Sequence, residues 1–166
     1  MKITRRQLKE LIQEMSFAGM PNIMRTQAVG YDSLSLTDEI KEQTILANKF
    51  HFKEAFFGEH ITDQHEKITS SLLMASSLSA ITRNIQLGTL TMNLNFYHPS
   101  VAASLISLAD NLSKGRLILG IGCGANQTDV ESIGGLSNNN YEVMLESFNI
   151  IKKILINNKN FIKSKN

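Results

Sequence analysis

The sequence predicts an α/β fold in which a parallel sheet is assembled from repeated strand–loop–helix units. Three observations carry this reading. Short apolar runs at 52–57, 85–90 and 116–121 have the length and composition of buried strands. A long polar or glycine-bearing loop follows each run, and apolar residues at helical spacing follow each loop. The connections leading into the strands are short, so parallel strands joined by crossover helices fit best. Long loops at the strands' C-terminal ends put a binding face there, in barrels and in doubly wound sheets alike.

Each element has a local reason. Ser35 or Thr37 can cap a helix carrying Ile40, Thr44, Ile45 and Ala47, and Phe52 to Phe57 then forms a strand that ends at Gly58. A second helix starts near Ser70, buries Leu72, Leu73, Ala75, Leu78 and Ile81, and closes at Asn84 before the strand Ile85 to Leu90. Asn93 to His98 form a loop, and Pro99 suits the first turn of a third helix. That helix carries Val101, Leu105, Leu108 and Leu112 and ends at Lys114-Gly115, a C-cap pair. Arg116 to Ile121 form the next strand, and Tyr141 to Ile156 a helix buried through Met144, Leu145, Phe148, Ile151 and Leu155. Residues 1–36 are expected to hold an amphipathic helix (Ile3, Leu8, Leu11, Ile12 and Met15 on one side) and a degenerate first strand near 16–20. The main unit spans 37–158, and 159–166 form a frayed Asn- and Lys-rich tail.

Composition excludes several functions. A net charge of +2, from 17 basic and 15 acidic side chains that are interspersed, gives no basis for a nucleic-acid or membrane-surface partner. Arg5-Arg6 precede no uninterrupted apolar stretch, and no apolar run is long enough to cross a bilayer. The single cysteine, Cys123, excludes an internal disulfide and fits a reducing cytoplasm.

Three loops hold residues suited to chemistry. His60 lies just past a strand end in Phe56-Phe57-Gly58-Glu59-His60, where an imidazole can take or give a proton and Glu59 can orient it. A solvated loop histidine is the plainer alternative. Leu90 to Pro99 mixes apolar and amide side chains that suit a flat aromatic ligand, with Asn93 meeting ring heteroatoms and Met92 or Leu94 packing on the ring. His98 there is read as shaping the helix entry. Gly120-Ile121-Gly122-Cys123-Gly124-Ala125 formally satisfies G-x-G-x-x-G/A. The polar stretch after it does not open a long helix, and Glu142 and Glu146 are poor ribose-binding candidates because both lie within a helix. Cys123 is read as inert rather than reactive. No spacing among His51, His60, His65 and Glu66 fits a metal site.

Taken in order, Phe57-Gly58-Glu59-His60-Ile61-Thr62-Asp63, Leu87-Gly88-Thr89 through His98-Pro99, and Leu112 through Gly122 resemble the bacterial luciferase-like monooxygenases, from about Thr37 to Ile156. The resemblance implies a partial (β/α)8 TIM barrel, about the first four strand–helix units. It implies reduced FMN rather than deazaflavin, with O2 as co-substrate and a small organic substrate. A flavin-reducing partner is implied as well. His60 matches the histidine that acts on the flavin–oxygen intermediate. Leu90 and Thr91 match a pair joined by a cis peptide beside the flavin ring, Asn93 a ring-contacting amide, and Gly122, Cys123 and Gly124 the loop that borders the flavin. Asn95 and Asn140 replace a proline and an arginine common in the family, and Cys123 stands where proline or arginine is frequent. Such barrels need about 250 residues. A half barrel leaves sheet edges and an apolar face open, so a homo- or hetero-oligomer completing the barrel is the expected assembly. A non-catalytic assembly half and a compact nucleotide-binding module are the rival readings.

Overall fold

The computed structural model describes residues 23–26, 33–63, 66, 68–134 and 139–163. Strands β1 (Ile23–Thr26), β2 (Glu54–Phe57), β3 (Gln86–Asn93) and β4 (Leu117–Gly122) form one parallel sheet in the order β1-β2-β3-β4. Helices α1 (Ser33–Lys49), α2 (Ser71–Ser79), α3 (Pro99–Ser113), α4 (Gln127–Ser132) and α5 (Asn140–Lys163) connect or follow the strands. The strand order follows the chain without reversal, as in a barrel wall. A doubly wound sheet reverses at its switch point.

The register shows which face is covered. Ala55 pairs with Leu87 and Leu87 with Leu117; Phe57 pairs with Thr89 and Thr89 with Leu119; Met92 pairs with Ile121. These residues share one side of the sheet and meet Ile40 and Ala47 of α1, Ala75 and Leu78 of α2, Ala102, Ala103, Ile106 and Ala109 of α3, and Met144 and Ile151 of α5. The other side carries Phe56, Gly88 and Ile118 in register, and there the Phe56 ring takes the space a Cβ on Gly88 would need. Every residue of β4 is only partly buried. The sheet is thus a wall with helices on one side, the arrangement of a barrel segment.

Between Thr89 and Met92 the pairing of β3 with β4 slips. The Thr89 hydroxyl bridges the slip: Oγ1 donates to the Gly120 carbonyl at 2.7 Å and accepts the Gly120 N–H at 3.0 Å. Gly120 has no room for a Cβ, which would collide with the Thr89 carbonyl oxygen. The Leu90–Thr91 peptide bond in this stretch is cis.

Most element boundaries follow from local chemistry. The Ser70 hydroxyl caps α2 by accepting the Leu73 N–H, Pro99 opens α3, and Lys114 (φ 58°) and Gly115 (φ 76°) close it in left-handed conformations. Several expectations need correction. The described first strand is Ile23–Thr26, whereas 1–15 and 16–20 lie outside the described residues. Helix α1 starts at Ser33, before the expected cap, and α5 continues through the expected tail to Lys163. Strand β3 runs on to Asn93, into the expected loop.

Apolar spacing alone does not tell which side of a helix is covered. In α3 the buried stripe is Ala102, Ala103, Ile106 and Ala109, while Val101, Leu105, Leu108 and Leu112 are exposed. Small alanines let the helix axis approach its neighbours closely, so the bulkier leucines are left outside. Leu73 of α2 and Ile81 are likewise exposed, and Leu145 and Phe148 of α5 are less covered than their spacing suggests. Truncation tests this orientation: Ile106→Ala is expected to cost about 2–5 kcal/mol, and Leu112→Ala no more than about 0.5 kcal/mol. Urea unfolding of the two variants measures the difference, and equal costs would reverse the assignment.

Candidate functional site

The strands deliver three loops to one rim, and two buried carboxylates organise them. The first is Glu59, two residues past β2, whose side chain turns inward and is 2% exposed. Its Oε2 accepts the N–H and hydroxyl of Ser71 at the start of α2, both at 3.0 Å, and the Tyr97 hydroxyl at 3.4 Å. Its Oε1 accepts the Asn93 N–H at 3.0 Å. Burial pushes the Glu59 carboxyl above its ordinary range, against the opposing effect of the hydrogen bonds from Asn93, Ser71 and Tyr97. Burial, and then the nearby Glu59 charge, also raise the Tyr97 phenol. Glu59 therefore joins β2, α2 and β3, and the expected orientation of His60 by Glu59 is not what its hydrogen bonds do.

His60 is held by two other carboxylates. Its Nδ1 lies 3.2 Å from Asp129 Oδ2, and its Nε2 lies 2.9 Å from Glu66 Oε2. Asp129, in the first turn of α4, is 1% exposed. Its Oδ1 accepts the Ile61 N–H at 3.1 Å, the Thr62 N–H at 2.7 Å and the Thr62 hydroxyl at 2.6 Å. Burial alone drives the Asp129 carboxyl upward, but the bonds from Thr62, Ile61 and His60 outweigh it and leave the group below its ordinary value. An ionised Asp129 accepts only, so the His60 hydrogen on that side sits on Nδ1, and Nε2 is the nitrogen turned toward Glu66.

The remaining candidates gather beside this pair. The Asn93 amide is largely committed: Nδ2 donates to the Glu59 carbonyl at 3.4 Å, and Oδ1 accepts the Thr91 hydroxyl at 3.1 Å. A Cβ on Gly122 would collide with Thr91 Oγ1 and Asn93 Oδ1, and one on Gly124 (φ 76°) would press on the Phe96 ring. Both glycines are thus required by neighbouring protein groups. The Cys123 side chain packs toward the helices with Ile121 and Leu119, leaving its backbone at the rim. Asn95 Nδ2 donates to the Cys123 and Asn140 carbonyls, both at 2.9 Å, and Asn95 Oδ1 is buried without a partner among the described residues. His98 accepts the Ser100 N–H and shapes the entry to α3, as expected. No group of described residues has the composition of a metal site, and no described helix is long and apolar enough to cross a membrane.

Sequence reasoning singled out His60 but not its partners Asp129 and Glu66. The available signal for Asp129 was Asn126, which caps α4 by accepting the Thr128 N–H and places an acid in the first turn. Nothing in the sequence spacing shows that this turn reaches a loop 69 residues earlier.

A one-sided parallel wall with its loops gathered at the C-terminal rim is the architecture of a barrel segment. Residues 22–161 match the family model described as luciferase-like monooxygenase, and the chain belongs to that family. It is 31% identical over 108 residues to 4-hydroxyprotoasukamycin monooxygenase of Streptomyces nodosus subsp. asukaensis, covering 65% of this chain and 29% of that protein. It is 32% identical over 97 residues to the alkanal monooxygenase beta chain of Photobacterium leiognathi, covering 57% and 30%. The fold matches the oxygenating constituent of 3,6-diketocamphane monooxygenase from Pseudomonas putida, solved in complex with FMN. The TM-score is 0.76 at 23% identity, over 81% of this chain and 39% of that one. The chain thus spans less than a third of the length of these curated relatives.

The two carboxylates respond to acid with opposite signs. Asp129 contributes stability that is complete above the unfolded carboxyl value of 3.8 and is lost as pH falls toward its lower folded value. Glu59, with its raised value, favours the native state more as pH falls through its folded value toward 4.5. In Asp129→Asn the loss of stability between about pH 5 and pH 3 is therefore expected to be smaller than in the wild type. Urea midpoints across that range check it, and an unchanged loss would remove Asp129 from this role.

Proposed function

We propose that this chain supplies the flavin-facing first half of an FMN-dependent monooxygenase that uses reduced FMN and O2 to oxygenate a small organic substrate. The observation that carries the reading is His60, fixed at the rim with Nδ1 on a buried carboxylate and Nε2 directed away from it. In this reading Leu90, Thr91, Gly122, Cys123 and Gly124 line the flavin ring, the last three through the backbone. The unpartnered Asn95 Oδ1 is a spare acceptor for a ligand N–H. Asn93 supports this lining from behind through its bonds to Glu59 and Thr91. Bound reduced FMN would supply the electrons that activate oxygen. His60 then holds or moves a proton at Nε2, and the apolar wall keeps water from it.

The rim suits the ring better than the phosphate. Among the described residues no Lys or Arg lies between β2 and α2, β3 and α3, or β4 and α4; Lys67, in the first of these loops, lies outside the described residues. Lys53, Arg83, Lys114 and Arg116 precede the strands instead, and Arg25 lies within β1. The Arg116 guanidinium is spent there on the Ser79, Thr82, Ile85 and Ser113 carbonyls and the Thr82 hydroxyl. In this reading the phosphate grip comes from other strands, whether of a longer chain, a second copy or a different subunit. A flavin-reducing partner and a cytoplasmic setting complete the proposal.

Paired titrations with FMN and riboflavin, followed by flavin fluorescence, test it. Both are expected to bind this chain about equally, with dissociation constants of about 0.1 mM or weaker. A tenfold preference for FMN, or no binding of either at about 1 mM, would contradict the assignment.

A further inference from the structure

Glu66 is not needed to explain the rim's architecture, yet its carboxylate makes the shortest contact to His60. The His60 N–H donates to the Ile68 carbonyl at 2.9 Å, which closes the loop and brings residue 66 over residue 60. The Glu66 N–H donates to Asp63 Oδ1 at 3.3 Å. Glu66 Oε2 then lies 2.9 Å from His60 Nε2, with the Glu66 side chain 27% exposed against 1% for Asp129. At that separation two lone pairs repel, so one proton lies between the atoms: an imidazolium N–H donating to a carboxylate, or a carboxylic acid donating to the ring. Either form uses the one in-plane direction that Nε2 offers.

We propose that Glu66 is a positioning residue that masks the working nitrogen of His60, so that a ligand oxygen reaches Nε2 only by displacing the Glu66 side chain. The two carboxylates divide the task. Asp129, buried and bound to three further donors, fixes the ring and its hydrogen on Nδ1. Glu66, on the solvent side, has fewer restraining partners among the described residues and can turn away at modest cost. Nε2 of His60 is thereby kept from casual electrophiles until a ligand competes for it. The idea deepens the reading of His60 given above. Its test contains no flavin, so either can fail while the other stands.

Diethyl pyrocarbonate acylates accessible, unprotonated imidazole nitrogens, and peptide mass mapping assigns the product to each histidine. His51, which is exposed, is the internal reference. In the full chain His60 is expected to react more slowly than His51. Glu66→Ala is expected to raise the His60 rate relative to His51 by at least about fivefold, the scale of one lost charge-assisted hydrogen bond. Amide exchange at Ile61 and Thr62, both anchored on Asp129, is expected to stay unchanged. An unaltered His60 to His51 ratio would overturn the proposal. So would a raised ratio accompanied by loss of protection at Ile61 and Thr62, because Glu66 would then be serving the loop's fold alone.

Discussion

A single buried carboxylate holds two distant loops together at the rim of this sheet. Asp129 stands in a helical turn after β4, yet its oxygens are filled by donors of the loop after β2, 67 to 69 residues earlier in the chain. Taking a charge out of water costs several kcal/mol unless donors replace the lost hydration. Here two backbone N–H groups, a hydroxyl and an imidazole do so. That requirement leaves the loop one satisfactory conformation, and His60 takes its orientation from it. Glu59 imposes the same kind of requirement one residue earlier, binding the start of α2 and the end of β3. The rim is rigid because two acids must be solvated by protein, with no lysine or arginine among their described partners.

The sheet beneath the rim places these loops side by side. Parallel strands in chain order put every C-terminal end on one edge, and helices packed on one side leave the opposite face for a ligand or for further strands. The half-exposed β4 and the Phe56–Gly88 contact on the uncovered side are what a barrel wall looks like before its circuit is complete. The family match and the fold likeness agree with this arrangement.

The sequence showed the order of elements well because that order rests on local chemistry. Pro99 at a helix start, Lys114-Gly115 at its end and the Ser70 cap each act within a few residues of themselves. Leu73, Ile81, Leu145 and Phe148 were misread as buried because apolar spacing does not tell which side of a helix is covered; in α3 that side is Ala102, Ala103 and Ala109, which permit closer approach than Leu105, Leu108 and Leu112. The strand at Ile23–Thr26 is only four residues long, too short for alternation to be visible. His60 could be found from its place after a strand and from the family resemblance. Its true partners could not, since Asp129 reaches it through tertiary structure and Glu66 through a loop closure that involves Ile68.

Amide hydrogen exchange in Asp129→Ala, compared with the wild type, tests the central claim most directly. The Ile61 and Thr62 N–H groups lie in an exposed stretch and have Asp129 as their acceptor, so their protection should collapse in the variant while the amides of β3 keep theirs. If Ile61 and Thr62 exchange equally slowly in both proteins, Asp129 does not hold this loop, and the placement of His60 needs another cause.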